Sequence, residues 1–216
     1  MNTNQAKEIK KNLKLTWQQK EIIVGLMLGD GCLETQNEGR TYRLKVEQSL
    51  KHKEYVDWLY KNFKDFTLSE PKIKKKFLNG KIYWNYGFQT MSCGNLRFFA
   101  HQFYNKDSRG KKIPKIIKRL LNCRAMAVWF MDDGQTKSKK HKTLLINTQC
   151  FANKDLGLLR KALLEKFQIE TTLKKERVGY RIYLVSRTLP NFLKCIKVYI
   201  HPSMKYKLGI NIMPKE

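Results

Sequence analysis

Two short segments of this sequence each end an apolar run in an acid followed by glycine. The first runs from Ile23 to Gly31 and contains Asp30, and the second, 103 positions later, carries Asp133 in front of Gly134. Each run is long enough for two helical turns, and glycine is typical just beyond a helix end, so each Asp is predicted in a last turn. Because the C-terminal end of a helix carries partial negative charge, an acid there is unfavourable. The pair therefore indicates a bound cation and, through it, a phosphate.

The net charge of the chain predicts a polyanionic partner. Lys and Arg number 44 against 18 Asp and Glu in 216 residues, which gives a formal charge of +26. Such a surplus favours nucleic-acid binding, although a generic basic protein of ribosomal type has the same balance. Apolar residues make up 42% of the chain and aromatic residues 12%, so a folded core is expected rather than a disordered basic tail.

The cysteines and the apolar runs exclude several other classes. The five cysteines are scattered and form no CxxC pair, so neither a zinc ribbon nor a disulfide framework is expected, and buried hydrophobic roles are predicted instead. Their odd count fits a reducing, intracellular compartment, a prokaryotic cytoplasm or an organelle. The N-terminus lacks an apolar signal region, and every apolar run is too short to span a membrane, so no membrane partner is expected.

The order of predicted elements repeats along the chain. Residues 1–15 are predicted to form a basic arm, 16–104 a first repeat, 105–121 a linker with the end of that repeat, and 122–216 a second repeat. Thr16 and Gln19 form a capping-box pattern before the first helix. The lysine-rich stretch 72–76 is predicted as a loop, 81–91 as a strand with Ile82, Trp84, Tyr86 and Phe88 on a buried face, and 143–149 as another strand. Each half is then αββαββα, which gives an α+β fold of two similar halves.

With these two motifs and the repeated order of elements, the sequence resembles the LAGLIDADG homing endonuclease family in its single-chain form with two repeats. The two apolar segments match the signature helix of that family, whose eighth position is the acid found here at Asp30 and Asp133. Downstream elements match as well: 46–48 and 147–149 resemble the strand end that carries a polar active-site residue. Segments 111–114 and 204–207 lie where each repeat of the family places a basic residue.

The resemblance implies a fold, an activity and a metal. The implied fold has a pseudo-twofold axis and two antiparallel sheets that form a DNA-binding saddle, in a monomer. The implied activity is site-specific cleavage of both strands of a long double-stranded DNA target across the minor groove, leaving short 3′ overhangs. Two or three divalent ions, Mg²⁺ by preference for oxygen ligands, are implied as cofactors.

The implied site residues fall into two groups by role. The metal ligands are the carboxylates of Asp30 and Asp133 and the carbonyl oxygens of Gly29 and Asp132. The other implied catalytic residues are Lys111 and Lys207, which neutralise charge or orient water, and Gln48 and Gln149, which position water. Lys111 is preferred, but a shift of one residue in the alignment selects Lys112 instead.

The polar faces of the sheets are predicted to contact base edges in the major groove. The candidate base-contacting residues are Arg43, Lys45, Lys81, Tyr83, Asn85 and Gln89 in the first half, and Lys174, Arg181 and Tyr183 in the second. Solvated sheet faces would have the same pattern. The remaining lysines of the predicted loops, at 72, 74–76, 137, 139 and 140, are expected to contact phosphates, which adds affinity without sequence choice.

The helices themselves are predicted to pack closely. Gly25 and Gly29 are four residues apart in the first motif, which permits a tight helix crossing. The second motif has Val128 and Asp132 at the same two positions, so Ala127 is the predicted source of a small surface there. Two other functions remain open for such a fold: an RNA-splicing maturase, with its own intron RNA as partner, and a non-catalytic DNA-binding regulator.

Overall fold

The computed structural model describes residues 13–105, 110–138 and 141–209. Most of the predicted arm, residues 1–12, and the candidate phosphate contacts Lys139 and Lys140 lie outside the described residues. The elements, in chain order, are α1 (Trp17–Leu28), β1 (Cys32–Glu34), β2 (Arg43–Ser49), α2 (Lys53–Phe63), β3 (Lys72–Leu78), β4 (Lys81–Gln89), α3 (Arg97–Phe103), α4 (Ile117–Leu120), α5 (Cys123–Asp133), β5 (Gly134–Ser138), β6 (His141–Asn147), α6 (Asn153–Phe167), β7 (Thr171–Lys175), β8 (Tyr180–Leu184) and α7 (Leu189–Ile196).

The predicted duplication is confirmed by this order. Apart from the short α4, each half is αββαββα, and each contains a four-stranded antiparallel sheet. The strand orders are equivalent, β1-β2-β4-β3 in sheet 1 and β5-β6-β8-β7 in sheet 2. Among the described residues, no helix is both long and apolar enough to cross a membrane.

Capping interactions fix where the two signature helices begin. At the start of α1, the Gln19 amide N–H donates to Thr16 Oγ1 at 3.1 Å, and the Thr16 amide N–H donates to Gln19 Oε1 at 2.9 Å. This reciprocal pair is the predicted capping box. At the start of α5, the side chain of Asn122 accepts a hydrogen bond from the Ala125 amide N–H at 2.9 Å. Each helix therefore begins at a residue that satisfies an otherwise unpaired backbone donor.

The glycine after the second signature acid has a different role from the one predicted. Gly134 is extended, with φ −76° and ψ 150°, and it begins β5 rather than ending the helix in a left-handed conformation. A side chain at this position would collide with the ring of Phe130. Close packing against that ring, rather than an unusual backbone conformation, explains why glycine suits this position.

The lysine-rich stretch predicted as a loop is strand β3, so that prediction is wrong. β3 pairs along its length with β4, from Lys72 opposite Gly87 to Leu78 opposite Lys81. Asn79 and Gly80 connect the strands, and both have positive φ values, of 49° and 73°. An Asn-Gly turn between two strands is a strong hairpin signal in a sequence, and it identifies the element that the charge pattern concealed. Lys137, also predicted in a loop, lies in β5.

The buried face predicted for β4 is only half buried. Tyr86 and Phe88 are 7% and 5% exposed, whereas Ile82 and Trp84 are both 51% exposed. The outer half of the β3–β4 hairpin also leaves Phe77 exposed on that face, opposite Ile82. Alternation in a strand identifies which residues share a face, but the length of the covering layer decides how many of them are buried.

Two of the scattered cysteines form a disulfide, contrary to the sequence prediction. Cys123, the first residue of α5, is bonded to Cys195 of α7, 72 residues away, with a Cα–Cα distance of 5.0 Å. Cys93 is buried, as predicted, whereas Cys150 is exposed. Spacing along the chain gave no indication of the bond, because the helix packing brings the two residues together.

Contacts divide the chain into two compact units. One contains Met1–Lys20 and Asp30–Ala100, and the other contains Glu21–Gly29 and His101–Glu216. Most of α1 therefore belongs with the second unit, where its residue Glu21 pairs with Arg124 at 2.8 Å. The predicted repeat boundaries at 104 and 122 follow the order of elements, whereas the units follow the packing of the signature helix.

Candidate active site

The first signature acid lies immediately beyond α1. Asp30 is exposed and lies in a turn. This turn continues from the helix, because the Gly29 amide N–H donates to the Gly25 carbonyl oxygen at 2.9 Å. Gln48, near the end of β2, donates from Nε2 to Asp30 Oδ2 at 2.8 Å. The predicted acid and the predicted amide of the first repeat are therefore in direct contact.

A lysine compensates the negative end of the first signature helix. Lys111 Nζ donates to the Gly29 carbonyl oxygen at 2.5 Å, one residue before Asp30. Carbonyl groups in the last turn of a helix have no helical partner and carry partial negative charge, so an ammonium group is stabilising there. Of the two alternatives in the sequence, Lys111 is the lysine that reaches this carbonyl. The backbone amide of the neighbouring Lys112 donates to the Phe103 carbonyl oxygen at 2.8 Å.

The second repeat has the same arrangement. Lys207, in the 3₁₀ helix Pro202–Leu208, donates to the carbonyl oxygens of Met131 at 2.5 Å and Asp132 at 2.6 Å. The Asp132 carbonyl immediately precedes Asp133, the last residue of α5. In both repeats, a lysine from a distant element thus binds the carbonyl that comes just before the signature acid.

At the second acid, the structure identifies a polar side chain that the sequence analysis did not select. Gln149 lies in a turn beyond the end of β6, and its backbone packs against Gly179 of the β7–β8 turn, where a Cβ would lie 2.6 Å from the Gln149 carbonyl oxygen. Asn147 Nδ2 donates to the Asp133 carbonyl oxygen at 3.0 Å. The structure therefore places Asn147 beside the backbone of the second acid, and the catalytic role of Gln149 stays a prediction.

Sheet register explains why the sequence alignment missed Asn147. In sheet 1, Cys32 pairs with Lys45, and in sheet 2, Gly134 pairs with Ile146. When the two signature motifs are superimposed, this register makes Asn147 equivalent to Glu47 and Thr148 equivalent to Gln48. Thr148 is fully buried and donates to the Tyr180 carbonyl oxygen at 2.7 Å, so it is directed into the core. The two repeats thus use side chains from different strand positions.

The two signature helices are in close contact along one line. A Cβ added to Gly25 would lie 2.5 Å from Val128 Cβ, and one added to Gly29 would lie 2.6 Å from Asp132 Cβ. Gly25 of α1 and Gly29 just beyond it therefore lie opposite the larger residues at the same motif positions of α5. Gly25 and Gly29 provide space for this crossing, and the role of Ala127 stays a prediction. Asp132 is 8% exposed as a result, and its side chain is part of the helix contact.

The candidate base-contacting residues of the first half share one face of sheet 1. The register pairs Lys45 with Gln89, Lys76 with Tyr83 and Lys74 with Asn85, and strand alternation adds further residues to this face. We call it the polar face, and its members are Glu34, Arg43, Lys45, Glu47, Lys72, Lys74, Lys76, Lys81, Tyr83, Asn85 and Gln89. Lys75 lies on the opposite face, with its ammonium 5.8 Å from the centre of the Trp84 ring.

Sheet 2 presents fewer cations. Lys174 pairs with Arg181, and Thr172 pairs with Tyr183, so the three candidate residues lie on one face. Arg181 is also opposite Asn147 and forms a 3.5 Å ion pair with Glu176. Its buried Nε atom lacks a hydrogen-bond partner among the described residues. A buried donor of this kind is suited to an acceptor supplied by a ligand.

A basic groove lies beside Lys111 in the second unit. Its volume is about 750 Å³, which lies within the range typical of ligand clefts. Four lysines line it, Lys111, Lys112, Lys115 and Lys154, with His101 and one acid, Asp155, also in its wall. A cleft with this excess of cations is suited to a chain of phosphates.

A metal site made of side chains alone is absent from the described ranges, since no group of three His, Cys, Asp or Glu residues could hold an ion. The available donors are the signature carboxylates, the carbonyl oxygens that precede them and the amide side chains nearby. These are all oxygen ligands of the kind that Mg²⁺ accepts, with water or substrate oxygens completing the coordination. The donor chemistry therefore fits a hard divalent cation.

Comparisons with known proteins agree with this geometry. Residues 20–192 match the LAGLIDADG DNA endonuclease family. The structure is similar to that of the homing endonuclease I-WcaI bound to its DNA recognition sequence, with a TM-score of 0.88 and 26% identity, covering 96% of this chain and 93% of that chain.

Two curated relatives are similar over most of this chain. DNA endonuclease I-ChuI of Chlamydomonas applanata is 31% identical over 211 residues, which cover 91% of this chain and 97% of the relative. Cytochrome b mRNA maturase bI2 of Saccharomyces cerevisiae is 32% identical over 221 residues, which cover 97% of this chain but 52% of the maturase. With a signature helix in each half and the same duplicated fold, the chain belongs to the LAGLIDADG DNA endonuclease family.

Proposed function

We propose that this protein is a monomeric, site-specific DNA endonuclease that hydrolyses one phosphodiester in each strand of a long target. The observation that carries the proposal is the repeated arrangement at the two signature acids. Each acid lies at or just beyond the end of a buried apolar helix, and a lysine binds the carbonyl before it, Lys111 at Gly29 and Lys207 at Asp132. Two equivalent sites in one chain suit a substrate with two equivalent strands.

The side chains of each site have distinct roles in the proposed hydrolysis. Asp30 and Asp133, with the carbonyl oxygens of Gly29 and Asp132, would hold Mg²⁺ or a similar ion, which when bound lowers the pKa of water and polarises the phosphodiester. Gln48 lies within hydrogen-bond distance of Asp30 and would orient the attacking water. Asn147 would do the same beside Asp133.

The two lysines would stabilise charge that develops on the phosphate. Each ammonium is held at the carbonyl oxygen next to a signature acid, where its positive charge would act on a phosphate bound at that acid. A cation near a phosphoryl group stabilises the transition state more than the ground state, because negative charge increases there. Cleavage across the minor groove with short 3′ overhangs, as the family resemblance implies, belongs to this proposal.

DNA would be held by the sheets and by the basic groove. The polar face carries alternating Arg, Lys, Asn, Gln and Tyr side chains, which are the usual partners of base edges in the major groove. The groove with Lys112, Lys115 and Lys154 continues from Lys111 and would bind phosphates next to the one that is cut. Similarity to I-WcaI, whose structure contains its DNA recognition sequence, supports this assignment.

A cleavage screen against a randomised DNA library, with Mg²⁺, tests the activity and identifies the target together. We expect linear product from the wild type, and loss of linear product with retained binding from Asp30→Asn and from Asp133→Asn. Asp65→Asn is the matched control, because Asp65 is exposed and lies in the 3₁₀ turn Lys64–Phe66 after α2, outside both signature motifs. Cleavage by both signature variants at the wild-type rate would refute the assignment.

Similarity to the bI2 maturase supports a second candidate function, binding of its own intron RNA. The chain spans about half of that relative, so the similarity covers only part of the maturase. The same screen separates the two functions, since a maturase without nuclease activity leaves every DNA intact. Both signature acids are present here, which favours the endonuclease.

A further inference from the structure

Two carboxylates lie on the polar face of sheet 1, where a DNA-binding surface would be expected to carry cations alone. Glu34 is opposite Arg43, and Glu47 is opposite Gly87, so strand alternation directs both side chains to this face. The chain has 18 acids against 44 basic residues. An acid that faces phosphates weakens binding, so its presence at this surface requires a compensating role.

Glu47 is the centre of one cluster. Asn85 Nδ2 donates to its Oε1 at 2.9 Å, Lys74 Nζ donates to its Oε2 at 3.2 Å, and Lys76 forms an ion pair with Oε1. Its side chain is 11% exposed, whereas those of the two lysines are about half exposed. Burial raises the pKa of Glu47, but the hydrogen bonds from Lys76, Asn85 and Lys74 outweigh it and lower the pKa to about 2. Glu47 is therefore ionised wherever duplex DNA is stable.

Glu34 is the centre of a second cluster. Arg43 donates to Glu34 Oε2 from Nε at 3.0 Å and from Nη2 at 2.8 Å, and Lys45 Nζ donates to Oε1 at 3.0 Å. Burial raises the pKa of Glu34, and the bonds from Lys45 and Arg43 exceed that effect and lower it. Two acids of the polar face therefore hold four of its cations in ion pairs before any DNA binds.

These ion pairs have two consequences for DNA recognition. The long side chains are ordered before DNA arrives, so less conformational entropy is lost when they contact a base. Each cation is also partly neutralised, so its attraction to any phosphate, whatever the sequence, is smaller. Both effects increase the difference between a correct and an incorrect site.

We infer that Glu34 and Glu47 are positioning residues that determine target specificity, by directing Arg43, Lys45, Lys74, Lys76 and Asn85 towards base edges and away from non-specific phosphate contacts. This inference rests on the proposed function. It assigns to two acids a role that neither the signature motifs nor the charge surplus indicates.

The test compares Glu47→Gln and Glu34→Gln with the wild type, using the target from the library screen and a random duplex of equal length. Glutamine keeps the size of the side chain and removes its charge. For either variant we expect about tenfold tighter binding to the random duplex and about a tenfold lower ratio of specific to non-specific affinity. In Glu47→Gln, the released lysines can contact phosphates of the random duplex. The slope of the logarithm of the binding constant against the logarithm of salt concentration should then become steeper by about 0.9 for each new phosphate contact.

Glu165→Gln is the matched control, because Glu165 lies on α6, outside both sheets, and pairs with Lys118 of α4 and Lys161 of α6. It should leave the ratio and the salt dependence unchanged. A purely structural role for the two acids predicts that affinity for both duplexes falls together, with an unchanged ratio, and that result would overturn the inference. Absence of any DNA cleavage by the wild type would instead count against the proposed function.

Discussion

The contact between the two signature helices gives a quantitative prediction at Gly25. Ala is the better helix former, so in an open position Gly25→Ala would stabilise α1 by about 1 kcal/mol. Here the new Cβ would lie 2.5 Å from Val128 Cβ and 2.6 Å from the Ala125 carbonyl oxygen. Both neighbouring atoms are close to the backbone of α5 and cannot move away by a change of rotamer. The helices must therefore separate by about 1 Å to restore ordinary contact distances.

The cost of that separation exceeds the gain in helix propensity. Overpacking a well-filled core costs about 1–3 kcal/mol, and two rigid contacts place Gly25→Ala near the upper end. Subtracting the gain of about 1 kcal/mol leaves a net loss of about 2 kcal/mol, or roughly 4–8 °C in melting temperature for a chain of this size. Because Asp30 follows α1 and Asp133 ends α5, cleavage should also decrease.

The matched control is Gly157→Ala, in the interior of α6. A Cβ at Gly157 would have no neighbouring atom within 4 Å, so only the propensity gain applies there. We expect its melting temperature to rise by about 2–4 °C while that of Gly25→Ala falls, as measured by circular dichroism with cleavage assayed on the same samples. An unchanged or higher melting temperature for Gly25→Ala would refute the close packing described above.

Three further predictions concern the disulfide, acid stability and the basic groove. Cys195→Ser should destabilise the oxidised protein by about 4 kcal/mol, the loop-closure value for a bond that spans 72 residues, and wild-type protein in reductant should melt at the same temperature as the variant. Glu47→Gln should cost about 1 kcal/mol at pH 7, after allowance for half-exposed lysines. Since the folded pKa of Glu47 is lowered to about 2, the difference in urea midpoint from wild type should shrink as pH falls from about 4.5 towards 2. For Lys154→Gln, the slope of the logarithm of the DNA-binding constant against the logarithm of salt concentration should become shallower by about 0.9. Lys161→Gln is the control and should leave this slope unchanged, because Lys161 lies two turns along the same helix and outside the groove.

Local patterns in the sequence were sufficient for the outline of the fold. The capping box at Thr16 and Gln19, the apolar runs before Asp30 and Asp133, and the repeated order of elements all depend on residues close together in the chain. Such patterns determine where helices and strands begin and which residues share a face. The polar face of sheet 1 was predicted for the same reason, since alternation along β2 and β4 is a local property.

Tertiary structure decided the pairings that connect distant residues. Asn147 lies beside the Asp133 carbonyl oxygen, and the register of β6 with β5 makes Thr148, one residue before Gln149, the equivalent of Gln48; only strand pairing determines that one-residue shift. Lys111 reaches the end of a helix 82 residues earlier in the chain, a contact that depends on how α1 and the segment after α3 pack. The bond between Cys123 and Cys195 has the same origin. The sequence by itself determined that an acid stands at or just beyond the end of each of two apolar helices, and tertiary packing determined which side chains surround each acid.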